Sequence, residues 1–181
     1  MNFIYRLLLT FNATSLIIVI YLVKEEILIN NFHCRLYCLP NYISYILYFL
    51  VPIILTFVSL LIAKYLGKDN IPKGTIKSIE QANNAFLPSY LGYFFVALSI
   101  PYVDTLIFVF AILFVFTFLS QTLYFNPLFL IFKYHFYYLT TTNEIKIFVI
   151  TRKILKDPNN TEFEKLKRIN DFTFIDLTKK I

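Results

Sequence analysis

The 181-residue chain reads as a membrane all-α protein, with four transmembrane helices and a small C-terminal cytoplasmic α+β appendage. Three observations predict this class. Between Glu80 and Lys133 the only charged residue is Asp104, so two long apolar runs flank one short break, Ile100-Pro101-Tyr102-Val103-Asp104. Hydrocarbon accepts such runs, whereas a charge at a helix centre costs about 2.5–3.5 kcal/mol on insertion scales. Hydrophobic residues make up 58% of the chain and the mean hydropathy is +0.65, values of the membrane class. The basic residues are shared unevenly. With four spans, Arg6, four lysines of the second loop and ten basic residues after the fourth span lie on one side, against Lys24 and Arg35 opposite. The positive-inside rule then puts both termini in the cytoplasm.

The first span covers about Phe3 to Val23, near the roughly 20 residues that a bilayer requires. Arg6, one turn inside it, can snorkel to the surface. The polar patch Thr10-Phe11-Asn12-Ala13-Thr14-Ser15 is read as helix back-bonding and helix–helix packing. A loop from Lys24 to Pro40 leads to Asn41, a plausible N-cap for a second span, about Tyr42 to Ala63, with Pro52 inside it. Lys64 to Asn84 is read as a second loop, broken by Gly67, Pro72 and Gly74, with a short surface helix over Thr75 to Asn84. The third and fourth spans are placed at about Leu87 to Val103 and Thr105 to Phe125. The transmembrane domain therefore occupies 1–127 and the basic segment 128–181.

In that segment two strands are predicted, about Leu128 to Leu139 and Ile145 to Thr151, in a β-hairpin. Alternation places Ile145, Ile147 and Val149 on one face, and Lys146, Phe148 and Ile150 on the other. Thr161 with Glu164 forms a capping box for a short helix, Glu162 to Asn170, and a last strand follows near Phe172 to Leu177.

Reaction chemistry is sparse. The chain contains no Gly-rich phosphate loop, no His-Glu-x-x-His helix and no Gly-x-Ser-x-Gly turn. His135 stands among aromatics with no carboxylate in the local sequence to orient it. We therefore expect no catalysis, cofactor or metal. Cys34 and Cys38, four apart in an external loop, are either a disulfide or spare thiols, and with His33 they form an incomplete metal set. The net charge of +6 is accounted for by orientation of the spans, without direct nucleic-acid binding. Lys133, Tyr134, Arg152, Lys153, Lys156, Lys165, Lys167 and Arg168 are candidates for docking a cytoplasmic partner, with lipid anchoring as the plainer account.

Phe125-Asn126-Pro127-Leu128, Tyr134, Phe136-Tyr137 and Val149-Ile150-Thr151-Arg152 resemble the membrane subunit of the Kiwa anti-phage defence system, the KwaA family. The resemblance implies a homo-oligomer, a tetramer, in the bacterial inner membrane that senses infection. It also implies a cytoplasmic DNA-binding partner of the KwaB type. The leading functional reading is a non-enzymatic sensor or scaffold that recruits this effector. A small oligomeric channel or pore-forming effector is the alternative, and a toxin-immunity membrane protein the second.

Overall fold

The computed structural model describes residues 2–29, 40–85, 87–120 and 126–178. Four helices form a bundle: α1 (Asn2–Lys24), α2 (Asn41–Ile62, continued by one 3-10 turn, Ala63–Tyr65), α3 (Leu87–Ser99) and α4 (Val103–Ser120). Pro40, not Asn41, occupies the N-cap of α2, and no side chain caps it. The central helix is α1, which packs on each of the other three. The outer faces stay apolar: Val51, Ile54 and Phe57 of α2 and Ile107, Phe108 and Phe116 of α4 are exposed.

The expected class, a membrane all-α fold with four spans, is overturned in two respects. Among the described residues three helices, not four, are long and apolar enough to cross a membrane: Phe3–Lys24, Asn41–Tyr65 and Val103–Ser120. With 13 residues, α3 rises only about 20 Å, against a hydrocarbon core of about 30 Å. Two prolines bracket it. Pro88 sits in its first turn, and Pro101 disfavours helical backbone at Ile100. Secondly, six strands form a mixed sheet: β1 (Lys68–Ile71), β2 (Ile76–Gln81), β3 (His135–Thr141), β4 (Lys146–Thr151), β5 (Phe163–Arg168) and β6 (Thr173–Asp176).

The segment read as a loop with a surface helix, 64–84, therefore supplies two strands. Glu162–Asn170, read as a helix, supplies β5, and the predicted strand from Leu128 begins as a one-turn helix, α5 (Leu128–Ile131).

The strand order is β1-β5-β6-β4-β3-β2, with β4 and β6 parallel and the other pairs antiparallel. Following those directions along the row, β1 and β2 run the same way at its two opposite ends. Yet only residues 72–75 separate them. A flat row of six strands would set its outer members about 24 Å apart. The chain from Ile71 to Ile76 reaches at most about 18 Å. The sheet must therefore curl. One bent segment serves both margins, bonding to β5 by its first half and to β3 by its second. Arg168 N donates to Gly67 O (2.9 Å) and Thr142 N donates to Thr75 O (2.9 Å), which extends both ladders. The result is a small barrel, and every strand contributes to its interior: Ile71, Ile76, Tyr137, Leu139, Ile147, Val149, Phe163, Leu166 and Phe174.

Two bulges adjust the wall. In β1 and β5, Asp69 faces Leu166 and Ile71 faces Phe163, so β5 carries one extra residue. That residue lets Phe163 and Leu166, three apart, both point inward. Between Ile76 and Ser78 the extra residue is in β2.

Outside the barrel, Phe136, Phe148, Ile150 and Ile175 pack on the end of the bundle against Tyr5, Leu9, Leu60, Ala63 and Phe129. The start of α1 thus lies at the barrel end. At the other end Lys24 Nζ donates to Ile100 O at 2.6 Å. Tyr90 of α3 donates to Ala13 O midway along α1, and Arg6 donates to Phe118 O near the top of α4. The α3–α4 hairpin accordingly leaves the barrel end and returns to it.

A Schellman motif closes α5. Tyr134 N donates to Phe129 O (3.1 Å) and Lys133 N donates to Leu130 O (2.9 Å). The left-handed position is Lys133, at φ 62. A side chain there costs about 1–2 kcal/mol that glycine would avoid.

Candidate docking surface

The bundle is tied to the barrel by a buried polar junction. Asn12 of α1, Thr56 of α2 and Asn126 after α4 are each 0–2% exposed. With the Asn12 amide oriented to satisfy both of its ends, its nitrogen donates to Pro52 O (3.0 Å). Its oxygen accepts from Asn126 Nδ2 (2.9 Å) and Thr56 Oγ1 (2.7 Å). Asn126 in turn accepts from Leu128 N at 3.0 Å and starts α5. Asn126-Pro127-Leu128 is therefore the joint at which the last helix passes into the barrel.

The hydroxyls of α1 bond back along the helix, as expected. Thr10 donates to Arg6 O, Thr14 to Thr10 O and Ser15 to Asn12 O. All of these groups are buried within one chain.

The docking candidates divide into two groups. Tyr134 precedes β3, while Arg152 and Lys153 follow β4, and the pairing of His135 with Thr151 brings them to one end of the barrel. Tyr134 is buried, with the Arg152 guanidinium 4.5 Å above its ring centroid. Arg152 Nε is buried without a hydrogen-bond partner among the described residues, and the ring face holds that side chain. Lys153 Nζ lies 5.1 Å from the Phe163 ring centroid and 4.0 Å from Asp176 Oδ2.

Asp176 is buried and well supplied. Its Oδ2 accepts from Thr151 Oγ1 (2.9 Å), and its Oδ1 accepts from Thr178 N (2.9 Å) and Thr178 Oγ1 (2.6 Å). Burial pushes the Tyr134 hydroxyl above its ordinary range, and the Arg152 charge opposes that shift. Beyond Lys153 an open groove of about 420 Å³ is lined by Lys153, Leu155, Lys156, Asp157, Asn160 and Glu162.

Of the remaining candidates, Lys165, Lys167 and Arg168 lie on β5. Lys165 is exposed. Lys167 Nζ donates to Lys64 O (2.7 Å) and Leu66 O (2.8 Å), so it caps the carbonyl end of α2. Arg168 pairs with Asp171 at 2.7 Å. Lys133 is exposed at the end of α5. Sequence reasoning missed the capping role of Lys167, because its partners lie about a hundred positions upstream.

His135 Nδ1 lies 3.1 Å from Asn83 Nδ2, and Asn83 Oδ1 accepts from Phe136 N at 2.8 Å. This histidine has a structural partner on the segment leading into α3. Among the described residues no group of three or more His, Cys, Asp or Glu side chains is placed to hold a metal ion. Cys34 and Cys38 lie outside the described residues.

No curated protein and no solved structure matches the chain. A family model described as the anti-phage protein KwaA matches residues 5–175, and the chain belongs to that family.

Proposed function

We propose that this member of the KwaA anti-phage family is a non-enzymatic membrane sensor and scaffold that recruits a cytoplasmic DNA-binding effector of the KwaB type. One observation carries the reading: an apolar-faced bundle ends in a single basic barrel. The start of α1 and every strand are gathered at that end. Arg6, Lys64, Lys68, Lys133 and the lysines of the barrel lie there, and the positive-inside rule assigns such an end to the cytoplasm of the inner membrane.

The docking face is the barrel end that carries Lys153, Lys156 and the adjoining groove. Self-association in the membrane, a tetramer by resemblance, would use the exposed face of α4. The polar side chains Thr10, Asn12, Thr14 and Thr117 are buried within the chain. These four supply neither a pore lining nor a polar motive for association, whereas Ser99 and Ser120 are exposed and Gln121 lies outside the described residues.

Deleting the segment from Lys156 onward is a poor test, because it removes β5 and β6, and β6 lies inside the sheet between β5 and β4. The double charge reversal Lys153→Glu with Lys156→Glu is preferable. It should leave the chain in the membrane fraction while abolishing co-purification of the partner and protection from phage. Full retention of both would refute the docking face.

A further inference from the structure

We propose that Lys64 and Lys133 bind the phosphate headgroup of an anionic phospholipid where the bundle meets the barrel. The inference rests on the membrane reading above. Leu50, Ile54, Phe57 and Leu61 recur at i, i+4, i+7 and i+11 on α2, and all four are exposed. The stripe suits an acyl chain, and it ends at exposed Lys64 and at Tyr65, which is 73% exposed. The Phe132 ring lies 6.1 Å from that of Phe57, which sets the next residue, Lys133, at the margin of the same stripe. Ile131, also exposed, extends the apolar surface beside it.

Lys133 occupies a left-handed backbone position at φ 62 that closes the Schellman motif of α5. Glycine satisfies that position without steric conflict. A cation kept there is a local conflict of the kind that concentrates at binding positions. Neither Lys64 nor Lys133 has an ion-pair partner among the described residues. Lys77, Lys146, Lys153 and Arg168 are each paired with a carboxylate, and Lys167 is spent on carbonyls. Two uncompensated ammonium groups above an apolar stripe match a phosphodiester with its acyl chain below.

The test uses the full chain in a neutral detergent, with phosphatidylglycerol or phosphatidylcholine added. Thermal unfolding of the wild type should shift upward by several degrees with phosphatidylglycerol and not with phosphatidylcholine. Lys133→Arg should keep the shift. The double variant Lys64→Gln with Lys133→Gly should lose it while unfolding without lipid at the wild-type temperature or above, because glycine relieves the backbone. A double variant that responds like the wild type overturns the proposal, as does an equal response to both lipids. If the double variant instead loses only capture of the cytoplasmic partner, the surface belongs to that protein and the lipid site is refuted. Alkaline carbonate extraction separates the two levels. A wild-type chain released from membranes refutes the membrane reading, whereas a retained chain with no phosphatidylglycerol response refutes only this site.

Discussion

Replacing Asn12 by Leu attacks the polar junction with little change of volume. The variant removes four hydrogen bonds: one to Pro52 O, one from Asn126 Nδ2 and two from Thr56, Oγ1 and N. Side-chain bonds between membrane helices average about 0.6 kcal/mol, so the expected loss is about 2 kcal/mol. Among the described residues Asn126 Nδ2 then keeps Thr56 Oγ1, at 3.5 Å. Reversible unfolding in mixed micelles measures the loss. Thr56→Val alone removes a shared partner, so the double variant should cost clearly less than the two single losses together. The reasoning fails if Asn12→Leu lies within about 0.5 kcal/mol of the wild type, or if the two losses simply add.

Two further outcomes follow from the barrel. Lys167→Met removes both ammonium–carbonyl bonds at the end of α2 and should cost about 1 kcal/mol, discounted for partial exposure. Amide exchange should then quicken over residues 66–71, and unchanged exchange there would refute the cap. Tyr134 and Tyr138 are raised above the ordinary tyrosine value of 10.0, chiefly by burial. Both hydroxyls therefore stay neutral while the unfolded chain ionises, and stability falls as pH rises above about 10. In an absorbance titration these two should ionise after the exposed tyrosines, and Arg152→Ala should delay Tyr134 further. Early ionisation of Tyr134 would sink that account.

Local pattern exposed the long helices, the β3–β4 hairpin and the last strand, β6. The bounds of α1 and α2 match the apolar runs to within a residue or two. The alternation in β4 also holds, with Ile147 and Val149 inside the barrel and Phe148 and Ile150 against the bundle. The strands β1 and β2 were hidden because they are four and six residues long, sit beside Gly67, Pro72 and Gly74, and take their pairing from chain made much later. The helical reading of 162–170 rested on the capping box of Thr161 with Glu164, together with Phe163 and Leu166 three apart. That spacing is real, but a bulge, not a helix, accommodates it. At the candidate site, basic residues were legible as a group. Their division into a capping lysine, a ring-held arginine and free cations was not, because it depends on contacts between distant segments.

The bent segment from Lys68 to Gln81 also sets an order of assembly. It emerges between α2 and α3, well before the strands that pair with it. Its first half waits for β5 and its second half for β3, and the wall cannot close until Asp176 has been synthesised. Until β3 and β5 are made, the corresponding half of the segment presents unpaired backbone, the state in which strands aggregate. The helices are therefore made while their connecting strands are still unpaired, and β6, the last strand made, closes the wall between β5 and β4.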